Sequence, residues 1–506
     1  MFAKIKSLCM NGLDPIPIDV EVDIHRSSLP SFSIVGLPDA AVQEAKERVR
    51  SSIRNAGFTF PLARIIVNLA PADVKKEGSG FDLPIAIGIL KASEQIQFSD
   101  DPIYFVGELS LDGKVRQIPG MLPMTIHLDT IQKSSSVAMY CPWENLHEIY
   151  ARKNTVYPIK TLTETIAFLS GTKKYIDYAV PEEELVDDSE TFDFAEVAGQ
   201  DFAKRALEVA ASGFHNIMMA GPPGTGKTML AKRLCSILPF MNENEAIEVT
   251  KIYSISGLLP SGKRLIKKRP FRSPHHSASY VSIVGGGATP KPGEITLAHR
   301  GILFLDEFPE FRKDVINMLR QPLEDGQVTI ARMKSTISYP ARFLLVAAMN
   351  PCPCGFFGDS HKECTCSSSQ LLRYKAKLSG PIMDRMDIVT EVQRIEASTM
   401  IKGRKQESSA EISARVLKTH QIQQERYRGE TFFFNSDIPA KTLHQYCLAN
   451  EEAKAFLEKI SQRMHLSGRA ITRALKVART IADMRASEMI EVQDIAEALQ
   501  YRFRDH

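Results

Sequence analysis

Hydrophobic and polar positions divide the chain into four stretches. Over residues 1–170, strand patterning in IDVEVDI (18–24), SFSIVGL (31–37) and RIIVNLA (64–70) alternates with helical patterning over Ala40–Ala56 and Asp82–Leu90. Residues 171–191, from GTKK through PEEELVDDSE, are polar, have no apolar period and read as a linker. A second α/β stretch occupies 192–392. Within 393–506 the basic, polar IKGRKQESS gives way to helical periodicity from Glu411 to Arg502, with no strand pattern. The predicted fold class is α/β: an α/β amino-terminal domain, an α/β core and a helical carboxyl-terminal lid.

Composition narrows the functional classes. The 506 residues, 43% hydrophobic and 24% charged, suffice for several cores and exclude whole-chain disorder. Sixty-three Lys+Arg against 60 Asp+Glu leave a formal charge of +3, so contacts to nucleic acid must come from local patches. The longest good apolar run, Phe343–Met349, is strand-sized, and no membrane contact is expected. No apolar core precedes Gly12, Asp14 and Pro15, so a secretory signal is not expected either. Four of the eight cysteines crowd into Cys352–Cys366, the pattern of a metal site in a reducing compartment, which points to a cytoplasmic location.

The clearest chemical signal follows the short apolar strand HNIMMA (215–220). Gly221-Pro222-Pro223-Gly224-Thr225-Gly226-Lys227-Thr228 runs into the helical MLAKRLCSIL. Glycines at this spacing let backbone N–H groups face phosphate oxygens, and the helix start adds its positive dipole end. Lys227 suits the β/γ-phosphates of ATP and Thr228 a Mg²⁺ ion. A second apolar strand, GILFL, ends in Asp306 and Glu307. Asp306 suits Mg²⁺, and Glu307 is placed to polarise a water against the γ-phosphate. A third strand ends at Asn350, whose amide could orient that water or sense the γ-phosphate.

With these motifs the chain resembles the AAA+ ATPases, and within them the magnesium-chelatase-like ComM/YifB family. RPFRSPHHSAS (269–279), GGGATPKPGEITLAHRGILFLDEFPEF (285–311), LRQPLEDGQVTIAR (319–332), MNPCPCG (349–355), LSGPIMDRMDI (378–388) and LSGRAITRALKVARTIADM (466–484) carry the resemblance. It implies a homo-oligomeric, hexameric ring in which Arg385 acts in trans as an arginine finger. It also implies that Arg469 is the sensor-2 arginine of the lid, with Arg473 a rival at similar helical phase. The activity it implies is ATP-driven branch migration or unwinding of DNA in recombination or natural transformation. A metal-chelatase motor or a chaperone-like remodeller of a protein substrate remains the alternative.

Seventy-nine residues separate Lys227 from Asp306, whereas two strand–helix–strand units use about 60. The cation-rich segment Ser256–Arg300 is therefore expected to hold an insert loop, which similar proteins aim into the ring pore. QVTIAR and STISYPA read as a hairpin with Arg332 and Lys334 near its tip. Arg272, Lys291, Arg332 and Lys334 are the candidate contacts to DNA phosphates, independent of sequence. The same residues would also serve an acidic polypeptide, or simply a solvated surface.

Cys352, Cys354, Cys364 and Cys366 form two Cys-x-Cys pairs that can close a Zn²⁺ knuckle. A redox thiol cluster and unligated thiols are the alternatives. Residues 1–170 resemble the Lon-protease-type, ribosomal-S5-like domain through APADVKKEGSGFDLPIAIGIL (70–90) and GELSLDGKVRQIPGML (107–122). The family's nucleophile and lysine positions fall on Gly80 and Leu122, so no peptidase activity is expected. A role in assembly or DNA binding is expected instead.

Overall fold

The computed structural model describes residues 1–26, 29–99, 102–131, 137–150, 155–174, 192–260, 262–287, 291–331, 336–359, 362–377, 380–395 and 406–502. Arg332 and Lys334 lie outside the described residues, as does most of the expected linker.

The amino-terminal domain is built on a mixed seven-stranded sheet. Its strand order is Ser31–Val35, Arg64–Ala70, Asp14–His25, Phe2–Asn11, Ile103–Phe105, Ala138–Pro142 and Thr155–Ile159. Alternation explains the third of these: Ile18, Val20, Val22 and Ile24 are buried, with Asp19, Glu21 and Asp23 between them on the wetter face. Its antiparallel partner Phe2–Asn11 was not among the expected strands. Helix Asp82–Ala92 is buried on nearly all sides against this sheet. The fully buried Asp82 carboxylate accepts from Arg48 Nε at 2.6 Å and Nη2 at 3.0 Å, so the charge is compensated where it is buried. At the expected protease positions stand Gly80 and the buried Leu122, and the neighbouring Ser79 hydroxyl donates to Glu108.

Five parallel strands form the second sheet, in the order Phe271–Arg272, Ile302–Leu305, Leu344–Met349, Ile217–Ala220 and Ile388–Glu391. Every residue of Ile302–Leu305 and Leu344–Met349 is buried, as expected for strands covered on both faces. One face packs on helices Asp201–Gly213 and Lys227–Ile237, joined by lid helices Ser409–Arg426 and Gly468–Met484 in the same core. The other face packs on residues 283–319. Ser408 and Glu411 close a capping box at the start of the first lid helix.

The segment Ser256–Arg300 differs from a simple inserted loop. It contributes the edge strand Phe271–Arg272, too short to leave a periodic signal. It also holds short helices at Tyr280–Val284 and Glu294–Leu297 and a ribbon pairing Gly285–Gly286 with Lys291–Pro292. The expected hairpin is present, Gln327–Ala331 against Thr336–Pro340.

Helix Glu243–Ser256 docks the two sheets together. Tyr150 donates to Glu243, Ser254 donates to the buried Glu148, and Gly120 N donates to Ser254 O at 3.2 Å. Glu148 also accepts from Asn145 Nδ2 at 2.6 Å.

Candidate nucleotide site

Strand Ile217–Ala220 delivers the chain to Gly221, where any Cβ would collide with the carbonyl of Val392. Gly224 and Gly226 take φ of +78° and +90°, a left-handed course that side chains resist. Helix Lys227–Ile237 starts directly after. Lys227 Nζ donates to Gly221 O at 2.7 Å, to Pro222 O at 2.8 Å and to Asn350 Oδ1 at 3.2 Å. Burial pushes this ammonium below the ordinary lysine range, opposed by Asp306. Thr228 Oγ1 donates to Asp306 Oδ2 at 2.6 Å. The phosphate loop, Asp306 and Asn350 therefore meet at the carboxyl ends of three adjacent strands, where ligands bind in parallel sheets.

Glu307 lies beside them with φ of +51°, its N–H on Asp306 Oδ1 at 2.9 Å and its side chain 54% exposed. Its carboxylate faces His276 Nδ1 at 3.2 Å. His276 stacks near His275 and meets the Phe311 ring edge-on. In the sequence, His276 read only as one cation of the insert. It follows the two-residue strand Phe271–Arg272, which leaves no pattern in the sequence, so no local signal assigned it here. Gln200 is also missing from the sequence reading: its Nε2 donates to Gln393 O at 2.6 Å and Thr225 O at 3.4 Å, tying the loop's outer wall.

Arg385 is placed elsewhere. It precedes strand Ile388–Glu391 and pairs with Glu324, at the amino ends of the strands. Four strand residues, about 13 Å of rise, separate those ends from the phosphate loop. Arg469, the expected sensor-2 arginine of the lid, is 70% exposed at 3.5 Å from Asp384, on the same edge as Arg385. Arg473 stands beside it, donating to Met386 O at 3.0 Å and lying 3.8 Å from Asp387. A cavity of about 350 Å³ opens there, lined in part by Arg342, Arg385, Arg473 and Lys476.

Sequence comparison agrees with this arrangement. Profiles of the magnesium chelatase ChlI subunit match residues 193–400, with further ChlI profiles over 20–145 and, for its C-terminal part, 406–502. The chain is 44% identical over 493 residues to the competence protein ComM of Haemophilus influenzae, covering 96% of this chain and 94% of that protein. It is 42% identical over 497 residues to YifB of Salmonella typhimurium, covering 98% and 96%. A 27% identity to the magnesium-chelatase 38 kDa subunit of Rhodobacter capsulatus covers 32% of this chain and 50% of that one.

The chain belongs to the ComM/YifB family of magnesium-chelatase-like AAA+ ATPases. For such an ATPase the substrate is ATP with Mg²⁺, and the site fits both. The loop's amides and Lys227 suit the phosphates, and the adjacent Thr228 hydroxyl and Asp306 carboxylate suit the ion, which would neutralise phosphate charge. Among the described residues no helix is long and apolar enough to cross a membrane.

The four cysteines are also brought together, their sulfurs all within 4.8 Å of one another. Cys352, Cys354 and Cys364 stand 3.3–3.7 Å apart, close to the about 3.8 Å edge of a tetrahedral Zn–S₄ site. Phe357 N–H points at Cys352 Sγ at 3.3 Å and Cys354 N–H at Cys366 Sγ at 3.4 Å, donors suited to thiolates. Of the candidate DNA contacts, Lys291 is exposed, whereas Arg272 is committed to both oxygens of Glu294 at 2.6 and 2.7 Å.

Proposed function

We propose that this ATPase works as a closed ring, six subunits by resemblance, that moves along DNA and drives branch migration or unwinding of strand-exchange intermediates. The observation carrying the ring is the separation of its catalytic groups. Lys227, Thr228, Asp306, Glu307 and Asn350 occupy one end of the sheet, and Arg385 and Arg469 the other. Both arginines thus serve a neighbour's nucleotide. A guanidinium offered across the interface stabilises the charge spread over the transferring phosphoryl group, while Glu307 polarises the attacking water. The cysteine cluster holds one structural Zn²⁺.

The DNA assignment rests on likeness to a protein named for competence over almost the whole chain, and on the basic residues Lys291, Arg332 and Lys334 in the sequence. Cations on a pore would grip phosphates without reading bases. The amino-terminal domain serves assembly or DNA binding and not peptide hydrolysis.

Steady-state ATP hydrolysis with no DNA, single strands, duplex and a four-way junction tests this reading, with Glu307→Gln as control. Stimulation by DNA that fades as salt rises is expected. Healthy turnover unmoved by any DNA would overturn the DNA motor and leave a remodeller of a protein substrate.

A further inference from the structure

The segment between strand Leu344–Met349 and helix Ser368–Lys377 contains neither helix nor strand among its described residues. A stretch this long without regular structure needs some other restraint to hold one shape. Its interior holds the four sulfurs and little apolar material, with Cys352 fully buried.

This segment also touches the nucleotide machinery at two points. Asn350, whose amide meets Lys227, is separated from Cys352 by Pro351 alone, and its carbonyl accepts from Tyr374 at 3.0 Å. Three residues past Cys352, Gly355 turns with φ of +86° and lies flat on the phosphate loop. A Cβ there would stand 2.6 Å from Pro223 Cδ and 3.1 Å from Cγ. At the loop's start, Gly221 is pressed more closely still by the Val392 carbonyl. Two residues on, Arg394 pairs with the buried Asp359 of the cysteine segment at 3.2 Å and covers the Phe356 ring.

We propose that the four-cysteine metal site is a clamp on the phosphate loop, so that metal occupancy sets nucleotide affinity. The inference rests on the zinc reading above. The metal fixes Cys352 and Cys354 relative to Cys364 and Cys366, which seats Gly355 on Pro223 and holds Asn350 toward Lys227. Among the described residues, neither face of the five-stranded sheet draws core residues from the segment beyond Cys352, so metal loss loosens the loop without unfolding the domain.

The test uses the full-length protein, freshly purified without chelators. Metal content is measured first, then affinity for a fluorescent ATP analogue before and after a zinc-selective chelator in excess Mg²⁺. Far-UV circular dichroism serves as the fold control. About one zinc per chain is expected, and its removal weakens nucleotide binding roughly tenfold or more at unchanged secondary structure. Cys364→Ser does the same. Gly355→Ala, which keeps every sulfur, retains zinc yet also weakens binding. Less than half a zinc per chain sinks the metal itself. A full complement of zinc whose removal leaves affinity unchanged, or a Gly355→Ala protein with undiminished affinity, overturns the clamp and leaves the metal standing.

Discussion

At the carboxyl ends of the five-stranded sheet, functional side chains bond to one another: Lys227 to Asn350, Thr228 to Asp306. At the amino ends the arginines bond to acids of their own chain, Arg385 to Glu324 and Arg469 to Asp384. The first group is a binding site already assembled by local folding. The second is a pair of arginines held by their own chain, Arg385 with a largely buried side chain and Arg469 with an exposed one. In the proposed ring, one sheet offers a receptor at one end and half of a catalyst at the other, and a head-to-tail arrangement of subunits brings the two together.

The largest break in this comparison comes from the receptor end. Lys227→Ala is expected to abolish nucleotide binding in a fluorescent-analogue titration. Glu307→Gln keeps binding but lowers turnover roughly 10²–10⁴-fold. Next comes the other end: Arg385→Ala lowers turnover by about 10³-fold in the assembled oligomer. Mixing Arg385→Ala with Lys227→Ala subunits restores part of it, because each supplies what the other lacks. Normal hydrolysis by assembled Arg385→Ala protein would end the trans assignment.

The smallest effect concerns neither end. His420 of the lid is buried, donates toward Ala211 O at 2.9 Å and lies near Arg269. Burial lowers its pKa to about 4. The unfolded chain, with an ordinary histidine value near 6.5, takes up the proton first. Stability from this group is therefore present above pH about 6.5 and is lost as pH falls toward about 4, by about 3 kcal/mol in all. Chemical denaturation across that window checks it, with His420→Gln flattening the slope while leaving nucleotide affinity intact.

The legible parts of the chain were those where a local rule applies. The phosphate loop, the Asp306 strand and the paired strands of the hairpin each follow from a few adjacent residues, and strand Arg64–Ala70 appears at the expected bounds. What escaped depends on distance. Phe271–Arg272 is two residues long and becomes a strand only because Ile302–Leu303 lies beside it. Arg469 and Arg473 share a helix face, and their direction is set by Asp384 and Asp387, more than 80 positions away. Arg272 looked like a free cation until Glu294 was placed opposite it. His276 acquired a role only when folding set it against Glu307.

The left-handed backbone of Glu307 has a consequence for selection. A non-glycine residue held there costs about 1 kcal/mol or more. Glycine or asparagine at 307 would relax that strain and raise the melting temperature, yet would remove the carboxylate proposed to aim the water. A search for hardier variants of this chain, scored on heat resistance alone, would therefore be drawn toward a sturdier and silent motor.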